Sequence, residues 1–446
     1  MITLKGMTWD HSRGYDPMIA TSKAFAKKHN NKISIQWDKR SLQAFADRPI
    51  EQMVEEYDLM VIDYPHVGEV SAKGLLQNFN VDGHSDKLES LKKESVGSSH
   101  QSYNIDGYQW ALAIDAASQV SCFREDLISE IPQSWKDLYK LANDNKVLWP
   151  LKPVHAISSF YSIYNNLGKE FDPTNRKFVE RDSGIKTLEM MKQIASILIK
   201  ECFTMDPIRT AELLSETDDF IYSPYVYGFS NYSRKGYRKN TLTYSNVINL
   251  SDKGPAGTHL GGTGIAISNK SKHKELALEY SYWIAGSECQ KNLFYSSGGQ
   301  PGNSDAWEND TINLETNNFF KNTRSTLDQA WVRPRHNGYM NFQDESGNII
   351  NEYLQSNVNE VDVIDKLKLM GTKRHHPMEL MLHEIYEKEY FKDENHDIWN
   401  EVAKNILKFE PDWIGYTSYT ANVTTIDIIS KKINQYAVSK FCKVYL

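Results

Sequence analysis

Cysteine is scarce in this chain. Four occur among 446 residues, Cys122, Cys202, Cys289 and Cys442, with no C-x-x-C pair and at least 80 positions between neighbours. That spacing carries no metal signature, and the thiols read as structural. An excess of positive charge is also missing. Lys and Arg number 51 against 58 Asp and Glu, a net −7, which leaves no basic stripe for a nucleic-acid partner. There is no run of about 18 apolar residues, so no segment reads as a membrane-spanning helix. Internal repeats and low-complexity tracts are absent, and Ser95-Val-Gly-Ser-Ser-His100 is the nearest approach to a linker. The first residues, Met1-Ile-Thr-Leu-Lys-Gly, show no basic segment, apolar segment or lipid-anchor cysteine. Three readings stay open there: a removed export signal, a misassigned start, or residence inside the cell.

Catalytic signatures are equally lacking. No HExxH, GxSxG, P-loop or GxGxxG occurs, and His375, His376 and His383 read as a solvated turn rather than a metal cluster. No cofactor is expected.

What the chain does have is length, apolar content and aromatic rings. Apolar residues make up 40% and charged residues 24%, as in a globular protein, and the length calls for two lobes and a tail. The 25 Tyr and 10 Trp suit either flat ligand-stacking surfaces or plain core use.

The first 65 or so positions alternate strand and helix. Ile2–Met7 is a strand, a helix opens at Pro17, Ile33–Trp37 is a second strand, Ile50–Glu56 a helix, and Leu59–Ile62 a continuous apolar run. Such a run fits a parallel strand buried on both faces, and the whole predicts a doubly wound α/β lobe with ligands beyond the carboxyl ends of its strands. Gly107–Arg124 reads as two extended pieces flanking Asp115-Ala116. Ser134 and Asp137 predict a capping box, and helices are expected over His155–Leu167 and Ile185–Cys202. Asp219–Tyr232 reads as a strand feeding an aromatic loop, and two further helices are expected over 341–354 and 361–370.

The most ordered stretch is Leu260–Ala306. Gly261, Gly262 and Gly264 surround Ile265-Ala266-Ile267 and enter a strand; Ser268–Ser271 supplies cap chemistry; Leu276, Ala277, Tyr280 and Ile284 follow at helical spacing; Glu288–Phe294 is a second short helix; and Ser297-Gly-Gly-Gln-Pro301 breaks it. This order resembles the crossover segment of the family 1 extracellular solute-binding proteins, the receptors of ABC importers for sugars and related solutes. The resemblance runs over roughly residues 1–370 and includes Pro132-Gln-Ser-Trp135-Lys-Asp-Leu. It implies a periplasmic-binding-protein-like (type II) α/β fold of two doubly wound lobes with a ligand cleft. Lobe one would be residues 1–114 and 258–310, lobe two residues 115–257 and 311–370. It further implies a monomeric receptor that binds a sugar, sugar acid or polyol by hinge closure, meets an ABC permease, and works in the periplasm or otherwise outside the cytoplasm.

The residues that would bind follow from what a polyol needs: flat rings against C–H faces, and planar charged or amide groups for hydroxyls. The first loop offers Trp9, Asp10, His11, Arg13 and Tyr15; the next strand ends add Arg40, Asp63, Tyr64 and His66; Asp115 stands at the first crossing. Lobe two would supply Tyr225, Tyr227, Trp331 and Arg335. Arg13, Arg40 and Arg335 leave an acidic solute open. Asp10 and Asp63 can also be read as a glycosidase-like carboxylate pair, so a hydrolase or lyase stays as one alternative and a cytoplasmic sensor without a transporter as another.

The tail, residues 371–446, is extra. Helices are expected over 396–409 and 424–435. Pro411-Asp-Trp-Ile-Gly-Tyr-Thr417 between them resembles the PD-x-[IV]-G-x-[ST] strand of the Rossmann-like cobalamin-binding domain found ahead of radical SAM enzymes. The D-x-H-x-x-G cobalt-ligand loop is missing, since Asp393-Glu-Asn-His396 has the wrong spacing and no glycine. The tail therefore reads as an incomplete α/β module without cofactor, or as an unrelated helical extension.

Overall fold

The computed structural model describes residues 1–41, 50–169, 171, 179–336 and 338–373, with isolated positions in the tail. The chain divides into two compact units, Met1–Pro173 with Val179–Ile364, and Thr174–Phe178 with Asp365–Leu446.

The first unit is built on one continuous path of strands. β1 (Ile2–Trp9) and β2 (Ile33–Arg40) pair in parallel from Ile2↔Ile33 to Trp9↔Arg40, and β3 (Leu59–Ile62) lies parallel on the other side of β1. All four residues of β3 are buried, as its unbroken apolar run requires. Short segments follow: β4 (Leu76–Gln77) and the hairpin β5 (Asn104–Ile105) with β6 (Tyr108–Gln109). Then come β7 (Leu112–Phe123), β8 (Tyr222–Tyr227), β9 (Thr243–Ser245) and β10 (Leu260–Ser268). The order is β2-β1-β3-β10-β7-β8, with β4 on β10 and β9 on β7.

Several boundaries differ from the sequence reading. The first strand runs on to Trp9, and the helix begins at Ser12, so Pro17 sits one turn inside the helix rather than opening it. The His11 side chain caps the helix by accepting the Arg13 N–H, and the proline then costs only one internal bond near the helix start. Gly107–Arg124 is not two pieces. β7 is a single strand of twelve residues that pairs with β10 from Leu112 to Ser118 and with β8 from Gln119 to Phe123. It is buried at every position but Ala113, so one strand serves both halves of the sheet. Ile185–Cys202 resolves into a helix over Arg181–Ala195 and a 3-10 turn over Lys200–Phe203, which lets the Cys202 carbonyl take the Leu151 N–H at 2.8 Å.

The Leu260–Ala306 stretch holds its expected order with finer detail. The glycines lie within β10 rather than ahead of it. Gly264 faces the Tyr103 ring, and Gly262, at φ +101°, sits where the register on β7 shifts, hard against the Asp115 carbonyl. A helix over Lys274–Ala285 is followed by Ser287–Cys289 and a π turn over Gln290–Phe294, where one short helix was expected. The Ser134/Asp137 capping box forms as read. The helix over Pro153–Asn166 packs on the helix over Tyr339–Gln355, which brings Gly347 onto the Pro153 carbonyl.

In the second unit the described residues include a short parallel pair, Trp413–Ile414 with Lys443–Val444. Most of the tail, including Asp393–His396 and nearly all of both expected helices, lies outside the described residues.

Gly262→Ala is expected to destabilise the first unit by about 2–4 kcal/mol, because the position combines a left-handed φ with a carbonyl in the way of any Cβ. Urea denaturation showing a loss under about 0.5 kcal/mol would contradict that account.

Candidate functional site

Two groups of polar and aromatic side chains gather where the parallel strands end. The first is built by the loop after β1. Arg13, on the first turn of the helix Ser12–Lys28, donates from Nε and Nη2 to the two Asp115 oxygens at 2.7 and 2.5 Å, and from Nη1 to the Gly228 carbonyl at 2.9 Å. Its guanidinium lies 4.6 Å over the Phe229 ring. Burial pushes the Asp115 carboxyl up, and the Arg13 charge pulls it back toward the ionised form. Trp9, expected to face a ligand, is 4% exposed and rests against Gly14. It stacks on His11 at 5.4 Å and meets Phe229 edge-on at 6.1 Å. Burial, then the nearby Arg13, lower the His11 pKa to about 4. Asp10 turns outward to Lys39 at 2.7 Å, and the same ammonium lies 4.9 Å over the Tyr15 ring.

The second group centres on Arg333. This buried side chain donates from Nη2 to both Asp63 oxygens at 2.7 and 2.6 Å, from Nε to the Tyr64 hydroxyl at 2.9 Å, and from Nη1 to Gln343 Oε1 at 3.1 Å. Asp63 also caps the 3-10 turn Tyr64–His66 by accepting the Tyr64 N–H. Across from it the Tyr227 hydroxyl meets His259 Nδ1 at 2.7 Å. His155 stands edge-on to the Tyr227 ring at 6.2 Å, and Trp331 stacks on His259 at 5.8 Å. Three buried polar atoms here have no hydrogen-bond partner among the described residues: His155 Nδ1, His259 Nε2 and the Tyr339 hydroxyl. Burial lowers His155 to about 4 and holds His259 well below the ordinary imidazole value, with Arg333 adding to the second. A hollow of about 680 Å³ opens beside this group, lined in part by Trp331, Phe171 and Lys169.

Of the fourteen residues singled out in the sequence, the structure brings Trp9, His11, Arg13 and Asp115 into the first group and Asp63, Tyr64, Tyr227 and Trp331 into the second. Others are placed differently. Tyr225 is fully buried and packs on Trp149 at 5.8 Å, so it serves as core packing. Tyr64, within the second group, is fully buried as well, its hydroxyl donating to the Leu260 carbonyl. Arg335 closes a turn by donating to the carbonyls of Gln101, Ser102 and Asn104. Arg40 and His66 are half-buried at their strand ends, and burial lowers the His66 pKa. Asp10 and Asp63 are each engaged by a different cation.

Sequence reasoning missed Arg333, His155, His259, Tyr339 and Phe229. A signal existed for the first: Arg333-Pro334-Arg335 presents two arginines in an extended run, and only the fold decides which one turns inward. His259 stands immediately before the Leu260 segment, and nothing in its neighbours marks it.

Comparison with known proteins agrees with this architecture. The sequence pattern of a family of bacterial extracellular solute-binding proteins matches residues 20–319, and the chain belongs to that family. It is a family of binding receptors rather than enzymes, which sets aside the hydrolase and lyase alternative and places the chain's relatives outside the cytoplasm. Among solved structures, maltose-bound MalE3 of T. maritima aligns with a TM-score of 0.70 at 13% identity over 83% of this chain and 99% of its own. A ribitol-bound ABC transporter solute-binding protein of Agrobacterium radiobacter K84 gives 0.70 at 16% identity, over 83% and 98%. One from Thermotoga lettingae TMO bound with α-D-tagatose gives 0.70 at 14%, over 84% and 99%. The periplasmic-binding-protein-like fold is thereby established. No curated protein matches the sequence, and the family match stops at residue 319, so the resemblance of the tail to a cobalamin-binding domain finds no support.

Two outcomes follow from the geometry. Asp115→Ala strands a buried guanidinium and should cost about 3–5 kcal/mol of stability, read by urea denaturation; near-neutrality would mean that Arg13 finds other compensation. His155 is neutral when folded and protonates in the unfolded chain below the ordinary imidazole pKa, so its stabilising contribution is complete above pH 6.5 and falls as pH drops from there to about 4. Over that window His155→Gln should flatten the pH dependence of unfolding by about 1.4 kcal/mol per pH unit. An unchanged slope would show that His155 is solvated.

Proposed function

We propose that the chain is the receptor of an ABC importer that closes two lobes on a carbohydrate or related polyol. The lobes are residues 1–114 with 258–310 and residues 115–257 with 311–370, joined by β7 and β10, and the cleft between them is lined by the two groups around Arg13 and Arg333. The observation that carries the reading is the convergence of Asp63–Arg333 from one side and Tyr227, His259, His155 and Tyr339 from the other, rings and hydrogen-bonding groups alternating at the ends of the parallel strands. That set matches a ring or chain bearing hydroxyls, with aromatic faces for C–H surfaces. The similar structures named above hold maltose, ribitol and tagatose. Closure is a hinge motion without bond chemistry, and the closed monomer is the form an ABC permease recognises on the outer face of the membrane.

Trp9, Asp115 and Arg13 have a supporting role in this reading: they position the first loop and the hinge strand. Tyr227, Trp331, Asp63 and His155 carry the solute contacts. Thermal-shift and calorimetric titration with maltose, maltotriose, ribitol, mannitol and tagatose provides the test. A bound solute at 100 times its Kd should add about 2.7 kcal/mol of stability, and Tyr227→Ala should weaken its binding by about 1–3 kcal/mol. Silence across the panel in a folded protein would count against a carbohydrate solute.

A further inference from the structure

We infer that this cleft takes an uncharged polyhydroxylated solute and turns away the matching uronic acid or phosphate ester. The inference rests on the reading of the strand-end cleft as the solute site. It starts from where the positive charge has gone. Burying a carboxylate or phosphate requires an uncommitted cation facing it, because desolvation of a bare anion outweighs what neutral groups return. At the strand ends the cations have partners. Arg13 spends Nε and Nη2 on Asp115 and Nη1 on the Gly228 carbonyl. Arg333 spends all of its nitrogens on Asp63, Tyr64 and Gln343. Arg335 is used by three backbone carbonyls, Lys39 by Asp10, and Arg238 by Glu212; of the two lysines that line the hollow, Lys169 pairs with Glu180 and Lys253 reaches the Gly168 carbonyl at 3.4 Å. Each pairing in the second group fits a neutral interior: Asp63 and Arg333 cancel, leaving dipoles instead of net charge.

What remains to meet a ligand is neutral. His155 Nδ1, His259 Nε2 and the Tyr339 hydroxyl are on side chains 9%, 0% and 1% exposed, and none of the three has a partner among the described residues. Tyr227 links the two imidazoles, its hydroxyl 2.7 Å from His259 Nδ1 and its ring 6.2 Å from His155, and Tyr339 lies one turn before Gln343, which accepts from Arg333. A neutral imidazole offers one donor and one acceptor, and which nitrogen is free to donate depends on its tautomer. A hydroxyl both donates and accepts, so it satisfies either tautomer and the phenol as well. A carboxylate only accepts, so it leaves any free acceptor nitrogen unsatisfied and adds a charge with nothing to answer it. Arg40, at the end of β2, is a further guanidinium at these strand ends and enters the test for that reason.

The experiment titrates the intact chain by calorimetry with matched pairs: galactose and galacturonate, mannitol and mannonate, glucose and glucuronate, glucose and glucose 6-phosphate. The expected result is that the neutral member of at least one pair binds, and binds more than about tenfold tighter than its acid. An acid that binds as tightly as its neutral partner overturns the inference while leaving the receptor reading standing; if that binding vanishes in Arg40→Gln, Arg40 is the cation responsible. Failure of every neutral and acidic probe overturns the carbohydrate reading and the inference with it. Asp63→Asn supplies the second arm, because it releases Arg333. In that variant, shown to be folded by circular dichroism, the neutral-over-acid preference should shrink by about tenfold or more. A folded variant with the preference intact would show that the Asp63–Arg333 pair does not set the selection.

Discussion

The bidentate contact between Arg13 and Asp115 is the constraint on which the arrangement of the first unit depends. Both side chains are about 4% exposed, so neither charge can be left alone without a large desolvation cost. The pair joins three pieces of chain that are far apart in sequence: the first turn of the first helix, the centre of the shared strand β7, and the Gly228 carbonyl at the head of the aromatic loop. Gln300 reinforces the same junction, donating to the Ala116 and Gly228 carbonyls and accepting the Ser230 N–H. Loops that would otherwise be independent are held to one strand, and the strand runs through both halves of the sheet.

That junction also ties up side chains that read from the sequence as ligand contacts. Trp9 and Arg13 sit on a loop rich in polar and aromatic groups, which suggests exposure. Once Arg13 is committed to Asp115, its guanidinium covers Phe229, and Trp9 fills the space left by Gly14. In the proposed reading ligand contacts fall to the group around Arg333, where neutral hydrogen-bonding atoms have no partner among the described residues.

Family membership and geometry fit together without a catalytic step. Asp10 and Asp63, the only carboxylates that invited a glycosidase reading, answer to Lys39 and Arg333. Carboxylates so engaged position neighbours and accept hydrogen bonds.

Much of this was legible in the sequence because it is local. The buried parallel strand Leu59–Ile62, the capping box at Ser134 and Asp137, and the glycine-strand-helix order of Leu260–Ala306 follow from periodicity, cap chemistry and chain stiffness, which depend on near neighbours. The choice of Arg333 over Arg335, of Tyr227 over Tyr225, and the recruitment of His155 and His259 were decided only by tertiary structure. Each turns on which partner a side chain meets across the fold, and partners such as Asp63 and Arg333 lie 270 positions apart. Hydrophobic pattern fixes that a strand is buried; which buried charges cancel, and which polar atoms are left for a ligand, is settled by contacts between segments that no local pattern encodes.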